Sequence, residues 1–226
     1  MDEGNAVLDP IFDDRSGSPM DTREDHGQGF GSLGAEPLRP VRIGIIGCGH
    51  IGSELVRLVH ENADALTRKG FPLLSVSAIA VRDGGKPRAP HVPHQIVSTD
   101  PMSIATRADV DLLVEVAGGV EPARSWVEAA LVSGKPVVTA NKAMMAEHGG
   151  DLLSLAARVG LPLRYEASVG GGIPVLRAIE SGLTGTRIDE IAGVINGTTN
   201  YILTQMEELG WSFQQALLEA QRLGYA

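Results

Sequence analysis

A glycine-rich turn, placed between a predicted strand and a predicted helix, has the spacing of a dinucleotide site. Gly47, Gly49 and Gly52 match the pattern G-x-G-x-x-G directly after the apolar run Val41–Ile46. In such a turn the first glycine bends the chain, the second lets the backbone approach a pyrophosphate, and the third lets helix and strand pack closely. Free amides in the first helical turn attract phosphate. With a purely structural turn as the alternative, the predicted cofactor contacts are Gly47, Gly49, His50, Ile51 and Gly52.

The segment after the second predicted strand, residues 73–81, is expected to select the cofactor. Arg82 and Asp83 follow that strand directly, and Lys86 and Arg88 come soon after. An arginine at this place accommodates the 2′-phosphate of NADP, whereas an acid hydrogen-bonds the ribose 2′-hydroxyl of NAD. Arg82 therefore favours NADP, while Asp83 leaves NAD possible. A solvated polar loop is the alternative.

Two further strand ends carry candidate residues. Glu115 to Gly119 closes the strand predicted at 112–116, and small residues such as Gly118 would let the ribose and nicotinamide of a cofactor lie close. Lys142 follows the strand predicted at 136–139, at the end of a parallel sheet where ligands bind. Its ammonium can stabilise the negative charge that hydride transfer builds on a carbonyl oxygen, or supply a proton. A plain turn and a surface lysine are the alternatives.

Two loops in the last third of the chain are the remaining candidate sites. Residues 165–174 combine Glu166 with three consecutive glycines, and a carboxylate with several backbone carbonyls would suit a hard cation. An anion-binding or purely structural loop is the alternative. Residues 196–201 carry amides and hydroxyls that could bind a polar, amino-acid-like substrate, or that could form a turn and a helix cap.

The elements that must position these residues alternate between strand and helix. Strands are predicted at 41–46, 73–81, 112–116, 136–139, 163–166 and 188–195, and helices at 50–61, 101–107, 121–131, 150–159, 173–181, 200–209 and 212–223. The alternation predicts an α/β fold, in which a Rossmann-type parallel sheet is covered on both faces. We predict a disordered acidic extension at 1–40, a nucleotide domain at 41–160, and an incomplete α+β domain at 161–226.

Composition excludes several classes of function. Nine of the 28 acids fall within residues 1–36, against two arginines there, so the remainder is nearly neutral and shows no basic face for nucleic acid. No apolar run is long enough to span a membrane. The single cysteine, Cys48, rules out an intrachain disulfide and fits a reducing cytoplasm.

Four runs together resemble the homoserine dehydrogenase family: residues 44–52, 137–142, 165–174 and 193–203, in the family's order. The resemblance implies an NAD(P)-dependent enzyme of threonine and methionine biosynthesis that interconverts L-aspartate 4-semialdehyde and L-homoserine. It also implies a homodimer with the cofactor between two domains, of which the second, 161–226, would serve substrate binding and dimerisation. By the same resemblance, Lys142 lies near nicotinamide and substrate, Gly197 and Thr198 lie near the substrate, and a monovalent cation such as sodium is held by Glu166 with the backbone of Val169, Gly171 and Ile173.

The sequence also departs from the family pattern. After the position of Gly224 and Tyr225 the family continues with a substrate-binding glutamate, then aspartates and a second, catalytic lysine, whereas this sequence stops at Ala226. We therefore expect a truncated homoserine dehydrogenase sequence whose activity is absent or very weak. A non-catalytic NADP-binding paralogue or regulatory partner is the alternative. Another semialdehyde or amino-acid dehydrogenase is a third possibility, against which residues 196–203 argue.

Overall fold

A single parallel sheet organises the computed structural model, which describes residues 38–225. The extension predicted at 1–40 therefore lies outside the described residues, apart from its last three. The six strands run in the order β3-β2-β1-β4-β5-β6, and every neighbouring pair is parallel. Their bounds are β1 Val41–Ile46, β2 Leu74–Ala80, β3 Val97–Ser98, β4 Leu112–Glu115, β5 Val137–Thr139 and β6 Leu163–Arg164.

Apolar side chains on both faces of the sheet explain why these runs form strands. In β1, Ile43 and Ile45 are buried in a cluster with Val56 of the first helix, whereas Ile46 is buried in a second cluster with Leu113. Successive side chains of a strand point to opposite faces, so one strand contributes to both clusters. The sheet is therefore covered by helices on both sides, as the alternation of elements predicts.

The helices begin close to their predicted starts in most places, with one large exception. The helix predicted at 150–159 begins eight residues earlier, because Asn141 caps it by accepting a hydrogen bond of 3.1 Å from the Met144 amide and Met144 itself is buried. The glycines at 149 and 150 hid this start from the sequence pattern. The bounds are α1 His50–Arg68, α2 Pro101–Thr106, α3 Ala123–Val132, α4 Lys142–Val159, α5 Val175–Arg177, α6 Gly197–Leu209 and α7 Phe213–Arg222.

Beyond β6 the chain differs most from the sequence prediction. The helix predicted at 173–181 is short α5 followed by a π-helical turn, Ala178–Gly182. The strand predicted at 188–195 is wrong: these residues form no strand, and Ile191 and Val194 are more than half exposed. A strand needs a neighbour to receive its backbone hydrogen bonds, and no described residue pairs with this segment. Helices α6 and α7 pack together through Ile202, Ala216 and Ala220.

The strand order reverses between β1 and β4, which places a crevice at their carboxyl ends. Strand β2 lies on one side of β1, and β4 lies on its other side. In the pairing of β1 with β4, Ile46 lies opposite Glu115. In open parallel sheets this reversal point is where ligands bind. Within residues 38–225, each helix is too short or too polar to span a bilayer.

Candidate functional site

The three glycines of the turn after β1 have different surroundings. Gly47 has φ +101°, and a Cβ there would lie 2.6 Å from the backbone nitrogen of Ala117. A Cβ on Gly52 would lie 2.1 Å from the carbonyl oxygen of Gly47, so helix α1 packs directly on the turn. By contrast, a Cβ on Gly49 would meet nothing within 4 Å. The backbone at Gly49 is therefore open to a ligand, whereas Gly47 and Gly52 are required by close packing.

The start of α1 offers unoccupied donors to the same space. Gly49 is the N-cap residue and has no side chain to accept a hydrogen bond from the first turn, which also contains no acid. His50 and Ile51 are both exposed. The first amides of a helix have no partner within it and carry partial positive charge. This arrangement suits a phosphate group better than a cation.

Arg88 connects the loop after β2 with the glycine turn. Its Nη1 donates a hydrogen bond of 2.8 Å to the carbonyl oxygen of Cys48, and its Nη2 donates one of 2.6 Å to the carbonyl oxygen of Asp83. Arg82, which the sequence favoured, is exposed, as is Asp83. Arg88 lies 40 residues from Cys48, so the sequence pattern alone gave only its charge and not its position.

A cavity of about 520 Å³ adjoins Arg88 at the carboxyl ends of β2 and β3. His94, Ser98 and Thr99 contribute polar groups to its wall. The Nε of Arg88 is buried and has no hydrogen-bond partner among the described residues. The Arg88 guanidinium, on a residue that lines this cavity beside hydroxyl and imidazole groups, is suited to a phosphate on the ribose of a nucleotide.

Cys48 lies inside the turn without the features of a nucleophile. Burial raises the pKa of its thiol, and the nearby Arg88 guanidinium opposes this only in part. A thiol with a raised pKa carries little of the reactive thiolate. Cys48 therefore fills space beneath the turn.

Glu115 forms the centre of the other half of the crevice. It is the last residue of β4, it is completely buried, and its carboxylate accepts four hydrogen bonds. Oε1 accepts from the backbone N–H of Ala117 at 2.9 Å, from that of Gly118 at 3.3 Å and from Nδ2 of Asn141 at 3.4 Å. Oε2 accepts from Oγ1 of Thr139 at 2.6 Å. Sequence reasoning missed Glu115, although a carboxylate inside an apolar strand was the available signal.

Lys142 is the first residue of α4 and follows this hydrogen-bonded cluster directly. The preceding residue, Asn141, donates a hydrogen bond of 2.6 Å to the carbonyl oxygen of Gly119 in addition to its contact with Glu115. Lys142 itself is exposed and lines a cavity of about 480 Å³ together with Tyr165 and other residues. The structure thus places Lys142 at the carboxyl end of β5, beside the strand ends that carry the other candidates.

The loop from 165 to 174 forms the opposite wall of that cavity. Ser168 and Val169 line it, and the Ser168 hydroxyl donates a hydrogen bond of 3.1 Å to the carbonyl oxygen of Thr139. The Glu166 carboxylate accepts from the amides of Leu176 and Arg177, each at 2.9 Å. Glu166 therefore closes the glycine-rich loop by binding its far end.

The proposed cation ligands do not include a cluster of ionisable side chains. Within residues 38–225, no group of three or more His, Cys, Asp or Glu residues could hold a metal ion. The backbone carbonyl of Glu166 accepts from the Val169 amide at 3.1 Å, and that of Ile173 accepts from the Val175 amide at 2.8 Å. Gly171 has φ +64° and open space around it. Any cation here would depend on backbone carbonyls.

Gly197 and Thr198, the predicted substrate contacts, begin helix α6. Asn196 caps this helix by accepting a hydrogen bond of 2.9 Å from the Thr199 amide. The Thr198 hydroxyl donates to the carbonyl oxygen of Tyr225. In residues 38–225, no hydrogen bond joins Thr198 to Lys142. The segment before α6 does reach the glycine-rich loop, because Ile195 lies 3.0 Å from the Cβ position of Gly170.

The sheet order, the glycine turn and the crevice at the reversal point define a Rossmann-type dinucleotide-binding protein. The family model described as homoserine dehydrogenase, NAD binding domain, matches residues 47–166. A second, described as homoserine dehydrogenase, matches residues 174–226. The chain belongs to the homoserine dehydrogenase family, a family of oxidoreductases.

Individual relatives agree with the family models. Homoserine dehydrogenase of Bacillus subtilis is 39% identical over 189 residues, which cover 84% of this chain and 44% of the relative. The crystal structure of a homoserine dehydrogenase from Thiobacillus denitrificans is similar with a TM-score of 0.73 and 38% identity, covering 83% of this chain and 43% of that one. A hyperthermophilic archaeal homoserine dehydrogenase in complex with NADPH has a TM-score of 0.69 and 27% identity, covering 82% of this chain and 62% of that one. This chain thus spans less than half the length of the Bacillus relative.

Proposed function

We propose that this chain supplies the cofactor-binding site and one lysine of a homoserine dehydrogenase, which interconverts L-aspartate 4-semialdehyde and L-homoserine. The observation that carries the proposal is the placement of the open Gly49 turn and of Lys142 at the same edge of one parallel sheet. A dinucleotide that binds across the reversal point would lay its pyrophosphate on the start of α1 and its nicotinamide toward β4 and β5.

NADP is the proposed cofactor, with NAD as a weaker one. Oδ1 of the Asp83 carboxylate accepts a hydrogen bond of 2.9 Å from the Gly85 amide within its own loop. Arg82 is exposed at the start of the loop after β2, and Arg88 lines the adjacent cavity. Two guanidinium groups on this segment favour a 2′-phosphate over a free 2′-hydroxyl. The archaeal relative that binds NADPH supports the same choice.

Lys142 is the proposed catalytic residue of this chain. When bound, NADPH would supply a hydride to the carbonyl carbon of the semialdehyde, and negative charge would develop on the carbonyl oxygen. The Lys142 ammonium, at the rim of the cavity next to Tyr165, would stabilise that charge or give the oxygen its proton. Gly197 and Thr198 are proposed to contact the amino-acid part of the substrate, from the start of α6.

A sodium ion is proposed for the glycine-rich loop, held by the backbone of Glu166, Val169, Gly171 and Ile173. The Glu166 carboxylate is directed toward the amides of Leu176 and Arg177 in α5, so the proposal uses the Glu166 carbonyl as the ligand. A carbonyl oxygen has two lone pairs, so those of Glu166 and Ile173 can each accept a further partner. Oxygen ligands of this kind suit a hard cation.

A homodimer is proposed from the apolar segment before α6. Ile188, Ile191 and Val194 are exposed, and their backbone receives no strand partner among residues 38–225. Exposed apolar residues next to unpaired backbone groups are typical of a surface that a further strand covers. Sedimentation of the purified chain would measure the association.

Titration of the purified chain with NADPH tests the cofactor site. We expect the fluorescence of the reduced nicotinamide to increase and shift to shorter wavelength on binding, with weaker binding of NADH. Equal affinities of the chain for ATP and for NADPH would show that the glycine turn binds phosphate groups but does not recognise a nicotinamide cofactor. Absence of binding by a folded chain would refute the proposed function.

A further inference from the structure

The buried polar residues of the described chain are concentrated at one place. Five polar or charged residues within residues 38–225 are buried, and four of them lie at the carboxyl ends of β4 and β5. These four are joined by hydrogen bonds into one buried cluster: Glu115, Thr139, Asn141 and Ser168. Buried polar groups are costly unless they are satisfied, so a connected cluster in an aliphatic core requires a reason.

Glu115 is the only member of the buried cluster that acts solely as an acceptor. Two of its four donors are the backbone N–H groups of Ala117 and Gly118, which cannot act as acceptors. The third is Nδ2 of Asn141, which is held in this orientation because Oδ1 of the same side chain accepts from the Met144 amide. The fourth is the Thr139 hydroxyl, which also accepts a hydrogen bond of 3.0 Å from the Asn141 amide. Each donor would be left unsatisfied in a dry environment if the carboxylate were removed.

The groups that Glu115 holds lie at the carboxyl ends of β4 and β5, where the proposed function puts the nicotinamide. The turn at Ala117 and Gly118 lies against Gly47, whose Cβ position is 2.6 Å from the Ala117 nitrogen. Asn141 begins helix α4 and is followed directly by Lys142. The Glu115 carboxylate therefore holds both the turn at Ala117 and Gly118 and the start of helix α4, whose first residue is Lys142.

We propose that Glu115 is a positioning residue for the nicotinamide end of the cofactor and for Lys142. It acts through Asn141 and through the turn at Ala117 and Gly118, and it does not touch the reacting atoms. The inference rests on the proposed function, because it assumes that a nicotinamide cofactor binds in the crevice. Arg88, which we propose to hold the adenosine end of the cofactor, makes no hydrogen bond to the buried cluster within the described residues.

The test compares two ligands that share the adenosine half, NADPH and 2′,5′-ADP. Glu115→Gln preserves the shape of the side chain but replaces one acceptor oxygen by a donor nitrogen. Since the three amide donors meet Oε1, the new nitrogen takes the place of Oε2 and opposes the Thr139 hydroxyl, which donates to Oε2 and already accepts from the Asn141 amide. We expect NADPH affinity to fall about tenfold, because the turn at Ala117 and Gly118, on which the nicotinamide half would lie, is then held less firmly in place. The affinity for 2′,5′-ADP should change by less than about threefold. The shift of nicotinamide fluorescence on binding should also become smaller.

Glu121→Gln is the matched control. Its carboxylate is exposed in the loop after the turn, and its one side-chain hydrogen bond among residues 38–225 is to Ser125. The same charge change there should leave both affinities unaltered. If Glu115→Gln does not fold, Thr139→Val and Thr139→Ser replace it. Valine removes the hydroxyl that donates to Glu115, and serine retains it, so only valine should weaken NADPH selectively.

The possible results separate the inference from the proposed function. Equal losses for the two ligands in Glu115→Gln, or no loss for either, would overturn the positioning role. An equal effect of Thr139→Val and Thr139→Ser would do the same. If the unaltered chain binds 2′,5′-ADP but not NADPH, the proposed function fails, and the inference fails with it.

Discussion

Arg88 donates a hydrogen bond of 2.8 Å to the carbonyl oxygen of Cys48, and this contact ties the loop after β2 to the glycine turn after β1. The two residues are 40 positions apart, and a second bond from the same guanidinium reaches the Asp83 carbonyl. The guanidinium is thereby fixed beside the cavity at the carboxyl ends of β2 and β3. A mobile surface arginine would pay more conformational entropy to bind the same phosphate.

Replacing Arg88 should therefore affect NADPH more than NADH. In Arg88→Met we expect the dissociation constant for NADPH to rise about tenfold and that for NADH to rise less than about threefold, because only NADPH carries the 2′-phosphate. Fluorescence titration of both cofactors measures the difference. Lys86→Met is the control, since Lys86 is an exposed cation on the same loop. An equal loss of affinity for NADPH and NADH in Arg88→Met would mean that Arg88 stabilises the two loops but does not bind the 2′-phosphate.

Two glycines of the turn should respond differently to the same added methyl group. Gly52→Ala brings a Cβ to 2.1 Å from the Gly47 carbonyl oxygen, so we expect a loss of stability of about 1–3 kcal/mol. Gly49→Ala meets no atom within 4 Å, so its melting temperature should stay unchanged. The methyl group at 49 should instead obstruct the pyrophosphate and weaken NADPH binding about tenfold. Thermal unfolding and NADPH titration of both variants test this contrast, which fails if Gly49→Ala binds NADPH normally.

The pairing of Arg42 with Asp111 should make stability depend on acid pH. Hydrogen bonds from the Arg42 side chain and backbone hold the pKa of the Asp111 carboxyl well below its usual range. Because the folded pKa is the lower one, the unfolded chain binds more protons in acid, so the stabilisation is complete above the unfolded pKa of about 3.9 and declines as pH falls below it. Asp111→Asn should have a lower urea midpoint than the unaltered chain at neutral pH. At low pH the two midpoints should become equal, because the Asp111 carboxyl of the unaltered chain is then protonated.

Asp109→Asn serves as the comparison for Asp111→Asn. Asp109 pairs with Arg107 on an exposed part of the same segment, with about half of its side chain accessible. Exposed pairs contribute little, so its urea midpoint should change less. If the urea midpoints of Asp111→Asn and the unaltered chain differ by the same amount at every pH, the Asp111 carboxylate acts through packing and not through its charge.

Reduction of L-aspartate 4-semialdehyde should depend on Lys142. Its side chain lines the cavity next to Tyr165, where we propose that the ammonium gives the carbonyl oxygen its proton. Loss of one proton-transfer group costs about 10²–10⁴-fold in rate, so Lys142→Met should lower the rate by about that factor. NADPH oxidation with L-aspartate 4-semialdehyde measures the rate. Equal rates for Lys142→Met and the unaltered chain would contradict the proposed catalytic role.

Sodium should stabilise the glycine-rich loop if carbonyls bind the ion. We expect the melting temperature to be higher in sodium chloride than in choline chloride of equal ionic strength, because only sodium can bind the folded loop. Gly171→Ala should abolish the difference, since φ is +64° at that position and alanine disfavours such a conformation. Gly185→Ala, outside the loop and with open space around it, is the control. Identical melting in the two salts would contradict the proposed site.

The sequence predicted the repeated strand and helix units well because their signals are local and periodic. Residues 41–46 are found as the strand that was predicted, and Asp100 and Ser212 cap the helices that follow them. The boundary predicted near residue 161 stays a prediction, and β6, just beyond it, pairs with β5. The early start of α4 was missed because its cap, Asn141, is fixed by distant groups, among them Glu115 and Gly119.

The class of fold, the nucleotide turn and the position of Lys142 after a strand could all be predicted from the amino-acid sequence, since each depends on residue types close together in the chain. The contacts between distant groups could not. In the folded chain Glu115 meets Asn141 and Arg88 meets Cys48, and residues 188–195 have no strand partner among residues 38–225. Strand pairing and buried hydrogen bonds depend on where parallel strand ends converge, which local periodicity does not encode.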